Sequence, residues 1–153
     1  MDYLKAGHDF GVINRRSQAY VTEICRPWDL SYSEHILLMS LYTRNGCQQS
    51  ELCKAIEADK ALVARCVKTL EEKGFLCRRQ SDQDRRVKYI YLTQKAWSLQ
   101  ERMEHFLKKW VEALVQDIDA EELDKALCIM HAVAENAAHA DIPALSAVKE
   151  MNV

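Results

Sequence analysis

The chain has 153 residues, of which 48% are apolar and 29% charged, and its formal net charge is −2 at pH 7. This length suits one domain with a sizeable core. No apolar run approaches the length of a membrane span, and the sequence MDYLKAGHDFGVINRR at the start lacks the apolar core of a signal peptide. We therefore expect a cytoplasmic protein without a membrane partner. The six cysteines include no CxxC pair, so neither a zinc ribbon nor a secreted disulfide framework is indicated.

The charge is distributed unevenly along the chain. Residues 44–95 contain twelve lysines and arginines and seven acidic residues, so this segment carries +5 and the remainder −7, which sum to −2. A basic centre between acidic flanks is typical of proteins in which one face contacts nucleic-acid phosphates. On charge alone, a solvated surface is the alternative interpretation.

The first two predicted helices have clear boundaries. One covers residues 8–25 and ends at Arg26-Pro27, because proline disfavours the helical conformation in the residue before it. Ser31 and Glu34 form a capping box for the second helix, which Asn45-Gly46 ends.

The next two helices are separated by a three-residue turn. A short helix covers 48–56, and Asp59 caps a helix that runs to Lys73 and stops at Gly74, a residue that tolerates the left-handed conformation. One side of this fourth helix is apolar and the other is basic or small. The two sides consist of Leu62, Val63, Val67 and Leu70 and of Lys60, Ala61, Ala64, Arg65 and Lys68. Such a pair has the form of a helix-turn-helix, although an amphipathic pair in any α protein is the alternative.

A charged loop follows between two β-forming segments. Residues 75–79 and 87–92 predict an antiparallel hairpin, and the loop SDQDRR joins them. A helix-turn-helix followed at once by a hairpin with a basic tip is a winged helix, in which the tip can enter the minor groove of DNA while the second helix lies in the major groove. Asp84, two residues before Arg86, is positioned to brace the turn or the arginine.

The last part of the chain predicts two long helices. A helical period persists from Thr93 to Ile118, and the sequence DAEE at 119–122 begins a last helix. Their apolar surface exceeds what a small winged helix needs to cover its own core, so we expect a second copy to bury the surplus. The predicted fold class is therefore mainly α with a small antiparallel β-hairpin wing, a winged helix-turn-helix with long N- and C-terminal dimerisation helices.

Several of these segments resemble the MarR family of bacterial transcription regulators. Asp84-Arg85-Arg86 followed by Ile90-Tyr91-Leu92-Thr93 is similar to the family's wing and its exit into the fifth helix. Leu30-Ser31, Gln49-Ser50-Glu51-Leu52 and Leu70-Glu71-Glu72-Lys73-Gly74-Phe75 are similar to family sequences around the second, third and fourth helices. The resemblance runs from about residue 10 to 139. It implies a single MarR-like domain over residues 1–153, with the DNA-binding region at about 30–95 and dimerisation helices at about 8–28 and 96–140.

The resemblance also implies a function. Family members are typically homodimers that bind double-stranded DNA, and many release it when a small, often aromatic, molecule binds, so we expect a repressor of this kind without a cofactor. Arg86 resembles the family's minor-groove arginine, Asp84 resembles its structural partner, and Arg65 occupies a position commonly given to DNA contact. Leu62 and Ala64 stand where the family often has small hydroxyl residues, which leaves fewer side chains to read base edges. The predicted DNA-binding residues are Gln48, Gln49, Lys60, Ala61, Ala64, Arg65, Lys68, Arg85, Arg86 and Lys88.

Aromatic side chains predict where an effector binds. The first, second and fifth helices are expected to meet at a cleft lined by Tyr20, Trp28, Tyr32, His35 and Trp97. Rings that stack and polar groups that fix orientation suit a small aromatic acid or phenol. Core filling at the helix crossings is the alternative.

A metal site is not expected. His131, Glu135 and His139 share one face of the last helix, but three ligands in one helical line rarely converge on one ion, so a solvated or dimer-facing polar strip is the preferred interpretation.

Other functions remain as alternatives. Cys66 and Cys77 flank the recognition helix and Cys25 ends the first helix, so a regulator of this fold that responds to thiol oxidation, or to a metal ion, is an alternative. The scattered Cys, His and Asp residues provide no nucleophile with its base, and no GxSxG, HExxH or phosphate-binding glycine loop occurs, so no enzyme is predicted. A winged-helix protein–protein adaptor is the second candidate.

Overall fold

A computed structural model describes residues 2–81, 83–84 and 87–146, which contain eight α-helices and three β-strands. The chain divides after Val111 into two compact units. In the described ranges, none of the helices is both long and apolar enough to span a membrane. The elements are α1 Tyr3–Cys25, α2 Tyr32–Thr43, β1 Cys47–Gln48, α3 Gln49–Ala55, α4 Lys60–Glu72, β2 Leu76–Gln80, β3 Lys88–Leu92, α5 Gln94–Trp97, α6 Gln100–Val115, α7 Ala120–Ala138 and α8 Ile142–Ser146.

Helix α1 begins earlier than predicted and ends where predicted. The Asp2 carboxylate accepts a hydrogen bond from the Lys5 N–H at 3.0 Å, and this cap starts the helix at Tyr3 rather than at residue 8. At the other end, a 3₁₀ turn over Arg26–Trp28 contains the proline that cannot continue the helix.

The capping predictions for α2 and α4 are confirmed. Ser31 Oγ accepts from the Glu34 N–H at 3.3 Å while Glu34 Oε2 accepts from the Ser31 N–H at 2.7 Å. Asp59 accepts from the Leu62 N–H at 2.8 Å, and Gly74, with φ of +75°, follows the end of α4. Local side-chain chemistry therefore sets both helix starts.

The predicted hairpin is confirmed and has an additional strand. Strands β2 and β3 pair antiparallel, and β1 pairs with the other edge of β3, so the strand order is β1-β3-β2. The Asn45 side chain supports this edge by accepting from the Leu92 N–H at 2.8 Å, and the Gly46 N–H donates to the Ile90 carbonyl at 2.8 Å. A strand of two residues carries no periodic signal, which is why the sequence did not predict it.

The prediction of one continuous helix from Thr93 is wrong. Helix α5 ends at Trp97 and α6 begins at Gln100. The Ala96 carbonyl accepts from the Tyr42 hydroxyl at 2.9 Å and from the Leu99 N–H at 3.0 Å, the second being a tight i→i−3 bond of a turn. A tertiary hydrogen bond thus stabilises the break.

The core of the first unit lies between α2, α4 and the sheet. Its fully buried side chains, each contributing about 1.5–3 kcal/mol through burial of apolar surface, include Leu37, Leu38, Leu41, Leu52, Val63, Val67, Leu70, Phe75, Leu76 and Ile90. A partly buried ion pair connects two of the helices: Glu34 is only 5% exposed, and its Oε2 lies 3.0 Å from Nζ of the half-buried Lys73, just after α4. The pair ties the start of α2 to the end of α4.

Candidate nucleic-acid interface

Helix α4 presents one exposed face, as its sequence predicts. Val63, Val67 and Leu70 are buried in the core, together with Cys66. The opposite face is exposed to solvent and consists of Lys60, Ala61, Ala64, Arg65 and Lys68. Because the buried stripe fixes the rotation of α4, these five side chains point away from the core together.

Of the three cations on this face, Lys60 and Arg65 are available to bind phosphates. Lys68 Nζ lies 3.8 Å from the Glu72 carboxylate, and both side chains are exposed, so this pair contributes little to stability. The ion pairs found in the described ranges include neither Lys60 nor Arg65. Two small alanines between the cations leave room for close approach to another surface.

The start of α3 carries the two predicted glutamines. Gln48 and Gln49 are half-buried, and the Gln48 N–H donates to Glu51 Oε2 at 2.6 Å in a second capping box. The turn from α3 to α4 contains Glu57 in the left-handed conformation, with φ of +50°. Helices α3 and α4 are thus connected as a helix-turn-helix.

The wing is described only in part. Lys88 is exposed and pairs with Gln80 at the loop end of the hairpin. Among the described loop residues, the Val87 N–H donates to the Asp84 carbonyl at 2.9 Å and the Asp84 N–H donates to Ser81 Oγ at 3.4 Å. The predicted tip residues Arg85 and Arg86 lie outside the described residues, so their roles and the bracing by Asp84 remain predictions.

Arg79, which is not among the predicted DNA-binding residues, lies on the outer part of β2. Its guanidinium lies 4.9 Å from the centre of the Tyr91 ring, a cation–π arrangement that leaves the charge exposed. The adjacent Arg78 is different, since its Nε donates to Glu71 Oε2 at 2.9 Å and this hydrogen bond lowers the pKa of Glu71. The alternation of side chains along a strand predicts that the two arginines lie on opposite faces of the hairpin. It does not predict which of them pairs with an acidic residue.

The predicted effector residues on α1 and the following turn pack against α6. Tyr20 stacks on Trp110 with ring centroids 4.9 Å apart, and its hydroxyl donates to the Phe106 carbonyl at 2.9 Å. The Arg102 guanidinium lies 4.9 Å from the centre of the Trp28 ring. Both aromatic rings therefore have packing partners within the first unit.

The other three residues have different surroundings. Trp97 is partly exposed and its ring lies 5.7 Å from that of Tyr42. Tyr32 borders a cavity of about 340 Å³ beside the α3–α4 turn. His35 is 1% exposed, and burial lowers its pKa to about 4. The prediction that these five residues line one effector site remains a prediction.

The described residues include neither a reactive thiol at Cys25 or Cys66 nor a metal site. Burial raises the pKa of the Cys25 thiol to about 11 and also raises that of Cys66, which disfavours the reactive thiolate, whereas Cys77 is half-buried. His139 Nδ1 lies 2.8 Å from the backbone carbonyl of Glu135. Within residues 2–81, 83–84 and 87–146, no three potential metal ligands come together.

Comparisons with known proteins agree with this geometry. Residues 30–88 match the model of the MarR family. A MarR transcriptional regulator from Methanosarcina mazei Go1 is 25% identical, with a TM-score of 0.80 over 86% of this chain and 95% of that one. A MarR protein from Peptoclostridium difficile is 17% identical, with a TM-score of 0.83 over 90% of each chain. Bordetella bronchiseptica BpsR, a protein whose DNA binding is regulated by 6-hydroxynicotinic acid, is 19% identical, with a TM-score of 0.74 over 85% of this chain and 98% of BpsR.

Proposed function

We propose that this chain is a winged-helix transcriptional regulator of the MarR type, whose family model its residues 30–88 match, and that it is a homodimeric repressor that releases its operator DNA when a small aromatic molecule binds. DNA binding and transcription regulation are the family's function. In this chain, the proposal rests on the exposed face of α4, on which Lys60 and Arg65 flank two alanines. A regulator of bacterial DNA works in the cytoplasm, and we propose that location.

The proposed complex places α4 in the major groove. Lys60 and Arg65 pair with phosphates or guanine edges, and Ala61 and Ala64 allow the helix to approach bases closely, with apolar contact to thymine methyl groups. The wing, with Lys88 at its loop end and Arg85-Arg86 at its tip, reaches the adjacent minor groove.

Exposed apolar side chains support a homodimer. On α1, Leu4 is 89% exposed, and Tyr3 and Phe10 are exposed as well; on α7, Ile129 is 65% exposed beside the exposed Met130. Large contiguous apolar surfaces on soluble proteins usually mark interfaces. A two-fold dimer binds two half-sites, so the proposed operator is a palindrome with half-sites spaced by about one helical turn, 10–10.5 base pairs.

The effector is the remaining part of the proposal. The regulation of BpsR by 6-hydroxynicotinic acid supports an aromatic acid as the class. The proposed lining is the aromatic set selected from the sequence, Tyr20, Trp28, Tyr32, His35 and Trp97. A ligand that favours a DNA-incompetent state binds that state more tightly, so it raises the melting temperature of the protein and weakens DNA binding over the same concentration range.

An Arg65→Ala variant tests the DNA interface. We expect it to weaken binding to duplex DNA by about 1–3 kcal/mol and to reduce the slope of log K against log salt by about one, because one cationic contact is lost. Fluorescence anisotropy at two salt concentrations measures both, and Arg16→Ala, which removes an exposed arginine from α1, is the matched control. A parent protein without salt-sensitive DNA affinity would favour the protein–protein adaptor instead.

An Ile129→Glu variant tests the dimer. We expect the parent to sediment as a dimer at micromolar concentration and the variant to dissociate, because a carboxylate would be buried at the α7 interface. Glu121→Gln, at the exposed start of α7, is the control that should remain dimeric. A monomeric parent contradicts the proposed assembly.

A further inference from the structure

One carboxylate connects the recognition helix α4 to the wing. Glu71 is the second-to-last residue of α4, and it accepts hydrogen bonds from Arg78 at the middle of β2. Its Oε1 accepts from the Arg78 backbone N–H at 3.3 Å, and its Oε2 accepts from the guanidinium Nε at 2.9 Å and also from Nη2. Hydrogen bonds between two charged groups are among the strongest in proteins. A single side chain of α4 therefore holds both the backbone and the side chain of one wing residue.

This ion pair lies between the two elements that are proposed to contact DNA. On α4, spacings of four and three residues place Ala64, Lys68 and Glu71 in one line, so Glu71 ends the exposed face of the helix. On the hairpin, Arg78 is the cross-strand partner of the buried Ile90, so its side chain lies on the face of the sheet that is turned towards the core. The pair therefore links the DNA-facing side of α4 to the inner face of the wing.

A polar cavity of about 470 Å³ lies beside the pair. Its lining consists of Glu71, Arg78, Gln80 and Lys88, and the last two are cross-strand partners at the loop end of the hairpin. Open space thus borders the pair on the side of the loop. This space leaves room for the wing to change its distance from α4 when the pair is absent.

Local helix stability does not explain an acidic residue at position 71. The C-terminal end of a helix carries partial negative charge, so a carboxylate in the last turn is unfavourable there. A carboxylate at the end of a DNA-facing surface is also repelled by phosphates. The side chains of Glu71 and Arg78 are only 33% and 35% exposed, so solvent screens their attraction less than that of a fully exposed pair. The contact with Arg78 is what offsets both unfavourable effects.

We propose that Glu71 and Arg78 are positioning residues for DNA binding, whose ion pair fixes the wing relative to α4 before DNA is bound. A helix in the major groove and a wing in the adjacent minor groove are two connected contacts. A fixed geometry lowers the entropic cost of making both contacts at once. The inference rests on the proposed DNA-binding function, but the link between the helix and the wing is a property of the free protein and is tested without DNA.

Hydrogen exchange of the free protein tests the link. We expect Glu71→Ala to speed amide exchange in residues 76–80 and 88–92 by about tenfold, because the hairpin loses its anchor on α4, while peptides from α2 keep the rate of the parent. Glu72→Ala is the matched control, since it removes the neighbouring carboxylate, whose cation Lys68 lies 3.8 Å away on α4 itself. Unchanged exchange of the hairpin in Glu71→Ala overturns the proposal, and so does an equal increase in α2, which would show a general loss of stability.

DNA affinity tests the positioning role, because charge and position predict opposite signs. Charge alone predicts tighter binding by Glu71→Ala, since a carboxylate is removed beside the phosphates. Positioning predicts a dissociation constant about tenfold higher, on the scale of one important contact. The double variant Glu71→Ala, Arg78→Ala restores the net charge of the parent and should remain as weak as Glu71→Ala, whereas Glu72→Ala should bind at least as tightly as the parent. Melting temperatures above the assay temperature establish that the variants are folded. Binding by Glu71→Ala that equals or exceeds that of the parent overturns the proposal.

Coupling to the wing tip separates positioning from a general weakening of the interface. In an Arg86→Ala background, Glu71→Ala should raise the dissociation constant by less than about twofold, because the contact that the pair positions is already lost. The same factor in both backgrounds refutes the positioning role. The parent is measured first at two salt concentrations. A parent without salt-sensitive DNA affinity refutes the proposed function, whereas hydrogen exchange of the hairpin still decides whether the pair holds the wing.

Discussion

Acidification should destabilise this protein through His35. The side chain is 1% exposed on α2, its Nδ1 has no hydrogen-bond partner in the described structure, and burial lowers its pKa from the ordinary 6.5 to about 4. The folded state therefore keeps the imidazole neutral in a pH range where the unfolded chain binds a proton. Above pH 6.5 both states are neutral and the histidine adds no pH dependence, whereas stability falls as the pH drops from 6.5 towards 4.

The size of the effect follows from this difference in pKa. Each unit corresponds to 1.36 kcal/mol, so the loss approaches about 3 kcal/mol when the pH reaches 4. At pH 4.5 most of it, about 2.5 kcal/mol, is already lost relative to pH 7. This is a large fraction of the stability of an ordinary domain, about 5–15 kcal/mol.

Urea unfolding of the parent and of His35→Leu at pH 7 and pH 4.5 measures this contribution. Carboxylates also titrate over this interval, but they are present in both proteins, so the comparison isolates the histidine. We expect His35→Leu to lose about 2.5 kcal/mol less than the parent on acidification. Equal losses in the two proteins would refute the conclusion that a buried neutral imidazole carries the effect.

Further variants test the packing. Lys73→Met should lower the free energy of unfolding by roughly 2–4 kcal/mol in urea titrations, because it leaves the buried Glu34 carboxylate without its cation; an unchanged midpoint would show that the pair is dispensable. Gly46→Ala should cost more stability than Gly74→Ala, because both glycines have positive φ but a Cβ at Gly46 would lie 2.8 Å from a tyrosine ring carbon; differential scanning calorimetry decides, and the reverse order contradicts the reasoning. The Cys25→Ser variant should have the same number of thiols that react rapidly with Ellman's reagent at pH 8 as the parent, since burial raises the pKa of Cys25 to about 11. One rapidly reacting thiol fewer in the variant would place Cys25 at the surface.

Local chemistry explains what the sequence predicted well. The capping box at Ser31 and Glu34 and the cap at Asp59 act within one helical turn, so their spacing alone indicates where α2 and α4 begin. The same holds for the exposed face of α4, because a helical period of 3.6 places its cations opposite the buried stripe. The fold class and the choice of Lys60 and Arg65 as exposed candidates followed from these short-range rules.

Contacts between distant residues explain what the sequence missed. Nothing near Thr93 indicates that a helix will break after Trp97, since the bond that supports the break comes from Tyr42, 54 residues before Ala96. Similarly, Arg78 and Arg79 are adjacent and identical in type, yet only the tertiary structure pairs one with Glu71 and leaves the other on a tyrosine ring.

The sequence by itself determined where most helices and strands begin and end and which face of α4 is polar, because capping, turn formation and periodicity depend on residues within a few positions of each other. Only the tertiary structure decided the third strand, the Glu34–Lys73 pair, the burial of His35 and the cavity beside the α3–α4 turn. Each of these requires groups far apart in the chain to meet. Their energies depend on distance and burial, which are properties of the folded structure and not of residue spacing.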